Sequence, residues 1–347
     1  MGDLMGHGTI PSPRRGRVVM AVAGLALIAA ACGDSKSTTA SASGSGSGKQ
    51  YTIAFVMGAE ADPFFKAMKV GADAEAAAKN VKIIWQGDPA QYSPATQIPF
   101  VDQVLAQKPD GLVLIPTDPD ALQPSVTKAL AANVAVVNVD THVTDLSKVL
   151  SFITGDNKDG GAKAADAMAT AIGWKSGGTY QVVVGLTSAT ATTNVARLEG
   201  FKAQIAAKYP GISIVDQGYS QSQPATADSN VSNWLTKYPN LNGIFAIDGT
   251  NATGAAAALQ AKGLVGKIAL IGYDAYPANV ELLTKGVFTA LIAQDPAAEA
   301  MMAIDDLVTY LSSGKKITGI EHDVVIPNVV LTKATSAADL KKYTYVA

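Results

Sequence analysis

Ten short apolar runs, alternating with Ala-rich amphipathic stretches, constrain this chain more than any other feature. The runs are YTIAFVM (51–57), VKIIW (81–85), GLVLIP (111–116), VAVVNVD (134–140), LSFIT (150–154), TYQVVVGL (179–186), ISIVDQGY (212–219), GIFAID (243–248), KIALIGYD (267–274) and FTALIAQ (288–294). Most are rich in Val and Ile and apolar throughout, as strands covered on both faces of a parallel sheet must be. Helices are predicted at 64–79, 97–107, 119–132, 158–172, 195–208, 227–237, 251–262, 277–285 and 297–312. A βα repeat of this length fits one barrel or two doubly wound sheets. The chain is longer than a minimal barrel needs. The stretch SFITGDNK (151–158) also reads as a strand leaving one unit and a capped helix opening the next. The predicted class is therefore α/β, with two doubly wound parallel-sheet lobes.

The segment before Tyr51 does not read as part of that fold. Arg14, Arg15 and Arg17 precede the apolar run 18–31, VVMAVAGLALIAAA, which is short for a membrane span and is flanked by positive charge on its N-terminal side. Residues 1–31 are predicted to be a secretory signal. Cys32, the only cysteine, ends the run in LIAAACGDS and so has no internal disulfide partner. The stretch resembles a bacterial lipobox, which implies cleavage before Cys32 and lipidation of its thiol, a membrane anchor rather than a span. Residues 32–50, small, polar and Gly-rich, are predicted to be a flexible linker.

Composition narrows the function classes. The chain is 48% hydrophobic and 16% charged with a formal net charge of −2, and it has no Lys/Arg run, so nucleic acid is not an expected partner. His142 and His322 have no companions at metal-ligand spacing, and no metal or cofactor is expected. The chain lacks a Gly-x-Ser-x-Gly elbow and a Gly-x-Gly-x-x-Gly turn after the first strand. Nothing selects a nucleophile, and an enzyme is not expected.

In open α/β sheets ligands sit beyond the carboxyl ends of the strands. The residues at those ends share one chemistry: Asp62 with Phe64 and Phe65, then Asp140, Asn194 with Arg197, Asp248, Asp274 and Gln294. Carboxylates and amides fork between neighbouring hydroxyls, while an aromatic ring takes the C–H face of a sugar. These nine residues are the predicted ligand contacts. Asp62 also precedes Pro63 and doubles as a helix cap; Phe65 is the ring expected to stack on the ligand. Asp118, Asp120 and Asp156 read as caps, and Trp85 and Tyr92 fit either a cleft edge or a packed loop.

From residue 51 to about 330 the chain resembles the periplasmic sugar-binding proteins of ABC importers, of the ribose-binding type, which share their fold with lactose-repressor-like effector domains. The resemblance rests on TIAFVM…DPFF, IPTDPDAL, VVNVD, TGDNKDGG, NVARLEGF, IFAIDGTNATGAAAAL, LIGYD and ALIAQDP, in that order. It implies a three-segment hinge, an N-terminal lobe of 51–154 plus 295–322 and a C-terminal lobe of 156–294 plus 327–347. It implies a monomer that binds a small sugar or polyol and delivers it to permease and ATPase subunits. A sensor presenting a signal such as autoinducer-2 to a membrane partner is the alternative. Thr141 and Ile115 replace polar residues of the ribose type, and the longer segment WQGDPAQYSPATQ is closer to relatives that bind rhamnose, polyols or autoinducer-2.

Overall fold

The computed structural model describes residues 49–346. The predicted signal, Cys32 and all but the last two residues of the linker lie outside the described residues.

Each predicted apolar run forms a strand. The first five are β1 (Tyr51–Met57), β2 (Val81–Gly87), β3 (Gly111–Leu114), β4 (Ala135–Val139) and β5 (Ser151–Gly155). The next five are β6 (Tyr180–Leu186), β7 (Ile212–Tyr219), β8 (Leu241–Ala246), β9 (Ala269–Tyr273) and β10 (Ala290–Ala293). Two short strands that the sequence did not announce follow, β11 (Asp323–Ile326) and β12 (Val329–Thr332). Their four residues each are too few to carry a periodic signal.

The strands form two sheets of identical plan, β2-β1-β3-β4-β5-β11 and β7-β6-β8-β9-β10-β12. All pairs are parallel except β10 with β12. Both sheets thus have the doubly wound 2-1-3-4-5 order, plus one edge strand contributed from the other end of the chain. The chain passes between the sheets after Gly155, between Ala293 and Pro296, and between Ile326 and Val329.

The helices are α1 (Pro63–Lys79), α2 (Pro94–Ala106), α3 (Gln123–Ala131), α4 (Asn157–Ala171), α5 (Thr192–Lys208), α6 (Pro224–Lys237), α7 (Gly249–Ala261), α8 (Pro277–Thr284), α9 (Pro296–Ser312) and α10 (Ala337–Tyr343). Five of them open on proline, whose fixed φ suits the first helical position and whose missing N–H would have no partner there. The helix predicted from 119 begins only at Gln123, because Asp118 accepts from the amides of Asp120 and Ala121 and holds a turn first. Asp156 accepts from Asp159 N–H as the cap of α4. Residues 53–57 of β1 have no solvent exposure, which explains their lack of polar alternation.

One close approach positions the site. A Cβ on Gly161 would lie 1.9 Å from the carbonyl oxygen of Arg197, and one on Gly200 would lie 1.9 Å from that of Lys158. Two glycines therefore let α4 and α5 cross backbone to backbone, which brings Arg197 against the first turn of α4.

Candidate functional site

The carboxyl ends of both sheets face a common cavity of about 50 Å³. A water-sized sphere takes about 10–15 Å³ of such space, so the cavity is small, and side chains from both sheets line it. All nine predicted contacts line it, Asp62, Phe64, Phe65, Asp140, Asn194, Arg197, Asp248, Asp274 and Gln294. Tyr92, Thr187, Thr193, Ser222 and Tyr276 join them. Tyr92 therefore belongs to the cleft. Trp85 instead stacks on Phe55, with ring centroids 5.1 Å apart, away from the cavity lining.

Two aspartates hold matching places in the two sheets. Asp140 follows β4 and Asp274 follows β9, with φ of 59° and 67°. Asp is among the few residues that tolerate this left-handed region. In each case the backbone N–H bonds the fifth strand of its sheet, Asp140 to Ile153 O and Asp274 to Ile292 O, both at 2.8 Å. The turn fixes where each carboxylate points.

Their surroundings differ. Asp274 Oδ1 accepts from Gln294 Nε2 at 2.7 Å and from Tyr345 OH at 2.9 Å, while Oδ2 accepts from Gly249 N–H at 2.8 Å. Asp248 caps α7 through Asn251 N–H, and its other oxygen accepts from Thr187 OH and Asn251 Nδ2. Asp140 Oδ1 is buried with no hydrogen-bond partner among the described residues. Burial pushes its carboxyl up; Arg197 pulls the other way, and Asp274 and Asp62 add to the rise. Of the four aspartates it is the one with a buried oxygen that no described protein group donates to.

Arg197 is 2% exposed and braced on three sides. Nε donates to Asn157 Oδ1 at 2.7 Å, Nη1 donates to Ile247 O at 3.0 Å, and the guanidinium lies 3.8 Å from the Tyr273 ring centroid. Burial disfavours the cation, but Tyr273, Asp274, Asp140 and Asp248 outweigh it and hold its pKa above the ordinary value. Asn194 Oδ1 accepts from Thr187 N–H at 2.6 Å, which orients its amide.

The two phenylalanines sit in the first turn of α1. Their rings meet edge to face, with centroids 5.4 Å apart and planes at 83°, and both are buried. Asp62 accepts from Phe64 N–H at 2.9 Å as the helix cap and also lines the cavity. Although Asp62 as a whole is only half-buried, the protein packed around its carboxyl disfavours the charge and pushes its pKa up to about 6.

Sequence reasoning did not anticipate Tyr276 or Tyr345. Tyr276 stands before Pro277 at a strand exit, a position where a capping Ser or Asp would be ordinary, and that misfit was its only signal. Tyr345 reaches Asp274 from near the chain end and has no local signal. Thr141 and Ile115, where the ribose type has polar residues, are both buried; Thr141 OH donates to Pro116 O and neither lines the cavity. Among the described residues there is no group of three His, Cys, Asp or Glu that could hold a metal ion. No helix among them is long and apolar enough to cross a membrane.

Comparison with known proteins places this geometry. Residues 53–316 match the family described as periplasmic binding protein domain. A D-ribose/D-allose-binding protein of Pseudomonas aeruginosa is 30% identical over 268 residues, 75% of this chain and 82% of that protein. A solute-binding protein of an ABC transporter from Agrobacterium vitis, solved with α-D-tagatopyranose, is 29% identical; the match covers 86% of this chain and 100% of that one at a TM-score of 0.80. Another from the same organism, solved with D-fucose, is 31% identical, covering 85% and 100% at a TM-score of 0.78.

Proposed function

This chain belongs to the periplasmic binding protein family, and from that premise we propose that it is an extracytoplasmic solute receptor of an ABC importer, closing two lobes over a small sugar or sugar-like polyol. The observation that carries the proposal is the cavity itself. Carboxylates, amides, one guanidinium and aromatic rings converge on it from the strand ends of both sheets. A polyol hydroxyl both donates and accepts, and such a lining serves it at every position. A relative named as a D-ribose/D-allose-binding protein and two ABC-transporter solute-binding proteins solved with a monosaccharide support the class. Their names describe binding, which supports a receptor without turnover.

The proposed lobes are 51–154 plus 295–322 and 156–294 plus 327–347, with β11 added to the first by its pairing with β5. Closure joins them around the ligand, and a hinge of three segments limits the motion to rotation. The proposed partners are the permease and ATPase subunits of the importer. Lipid on Cys32 would hold the receptor at the membrane; Cys32→Ser should then release it into the medium or periplasm, read by fractionation.

A thermal-shift screen against pentoses, hexoses, deoxyhexoses and polyols tests the reading, because a ligand that binds the folded state raises the melting temperature. At least one member should do so and bind with 1:1 stoichiometry in calorimetry. A flat response across the panel would reject the sugar class.

A further inference from the structure

We propose that Asp62 and Tyr276 form a direct latch between the lobes, so that Asp62 holds the cleft mouth closed rather than serving chiefly as a ligand contact. Asp62 belongs to the start of α1, beside the first sheet. The hydroxyls it meets belong to the second: Tyr276, at the cap of α8, donates to Asp62 Oδ1, and Thr250, in the first turn of α7, donates to Oδ2 at 3.1 Å. With Phe64 N–H also on Oδ1, that oxygen has its two acceptor positions filled. One position remains on Oδ2. A carboxylate engaged in this way has little left for a ligand.

The ring of Tyr276 is built into place. It lies over Gly249, where a Cβ would fall 2.1 Å from the ring carbon Cζ, so a side chain at 249 would displace it. Its other side meets Tyr345 at 5.9 Å between centroids, and Tyr345 meets Phe64 of α1 at 6.1 Å. The aromatic contacts thus cross between the sheets beside the polar one. Gln223 Nε2 adds a further crossing bond at the same mouth, to Ala90 O at 2.7 Å. These contacts are all between protein groups, so they favour the closed form with or without a ligand.

The latch rests on the two-lobe reading above, but its test needs no ligand. Backbone hydrogen exchange on the ligand-free full-length protein compares wild type with Tyr276→Phe, Thr250→Val and Asp62→Ala. Tyr276→Phe keeps the ring and removes one donor; Thr250→Val keeps the shape and removes the other. Exchange in residues 59–66 and 246–252 should rise by about threefold or more in Tyr276→Phe, while residues 81–87 stay unchanged. Adding Tyr276→Phe to Asp62→Ala should add little, since removing the carboxylate already removes the bond that Tyr276 makes. Unchanged exchange at the mouth, a uniform rise across the chain, or fully additive effects would each overturn the latch. A thermal-shift panel with no hit would reject the sugar reading and leave this result standing.

Discussion

Asp140 and Asp274 show how equivalent backbones can carry different duties. Both end a fourth strand in the left-handed region, and both are anchored to the fifth strand. Asp274 is saturated by three protein donors, whereas Asp140 keeps a buried oxygen without a partner. Asp140→Ala should therefore weaken ligand binding about tenfold or more in calorimetry, since a hydrogen bond to a charged group contributes roughly 1.5–3 kcal/mol, and should cost folding only the strain of Ala in the left-handed region, about 1–2 kcal/mol. Asp274→Ala incurs the same strain and also strands three buried donors, and should cost about 1–3 kcal/mol more of folding stability in denaturant titration as well as affinity. If the two variants behave alike, the distinction fails. Arg197→Lys is the companion test. A lysine has one charged terminus and cannot reproduce bonds to both Asn157 and Ile247 while stacking on Tyr273, so affinity should fall despite the conserved charge.

At the scale of elements, the crossing of α4 and α5 seats Arg197. Gly161 and Gly200 each face the backbone carbonyl of the opposite helix, and neither helix can retreat without moving the arginine. Gly161→Ala should destabilise the fold by about 1–3 kcal/mol and lower affinity together, measured by chemical denaturation and calorimetry. The same residue pattern was visible in TGDNKDGG and NVARLEGF, but as motif, not as contact. Strands β1 to β10 were legible because burial on both faces leaves unbroken apolar runs. Strands β11 and β12 were not, since four-residue edge strands are specified by their neighbours. The starts at Pro63, Pro277 and Pro296 and those after Asp156 and Asp248 were legible to within two residues, whereas α2 and α6 open on Pro94 and Pro224, three residues before the starts expected at 97 and 227, and the late start of α3 was hidden because Asp118 caps a turn before the helix.

The whole molecule gathers more acid than base at its centre. Asp62, Asp140, Asp248 and Glu299 all have raised pKa values, and burial is the largest cause in each. Glu299, in the first turn of α9, has no solvent exposure, and neither carboxyl oxygen has a partner among the described residues. Asp140, Asp295 and Asp274 disfavour its charge and Arg197 favours it. The sign follows from linkage. A carboxyl raised in the folded state binds its proton more tightly there than in the unfolded chain, so its favourable contribution is present at low pH and lost as pH rises. For Asp62 the loss runs from pH 3.8 to about 6. Glu299→Gln should raise the melting temperature at neutral pH, and its advantage over wild type should shrink on acidification. An advantage that is independent of pH would show that Glu299 is not the titrating group.

The sequence alone determined the α/β class, the division into two sheets and the identity of the strand-end residues that line the cavity. Those are local properties: a buried strand must be apolar, a strand exit must carry what the cleft needs, and a helix must be capped. Only the tertiary structure decided which of those residues is free. Whether a carboxylate meets a ligand or a neighbouring donor depends on groups brought from distant chain positions, Tyr276 and Thr250 to Asp62, Tyr345 and Gln294 to Asp274. Hydrogen-bond capacity is finite, and its allocation is settled by the packing of both lobes together, which no single segment encodes.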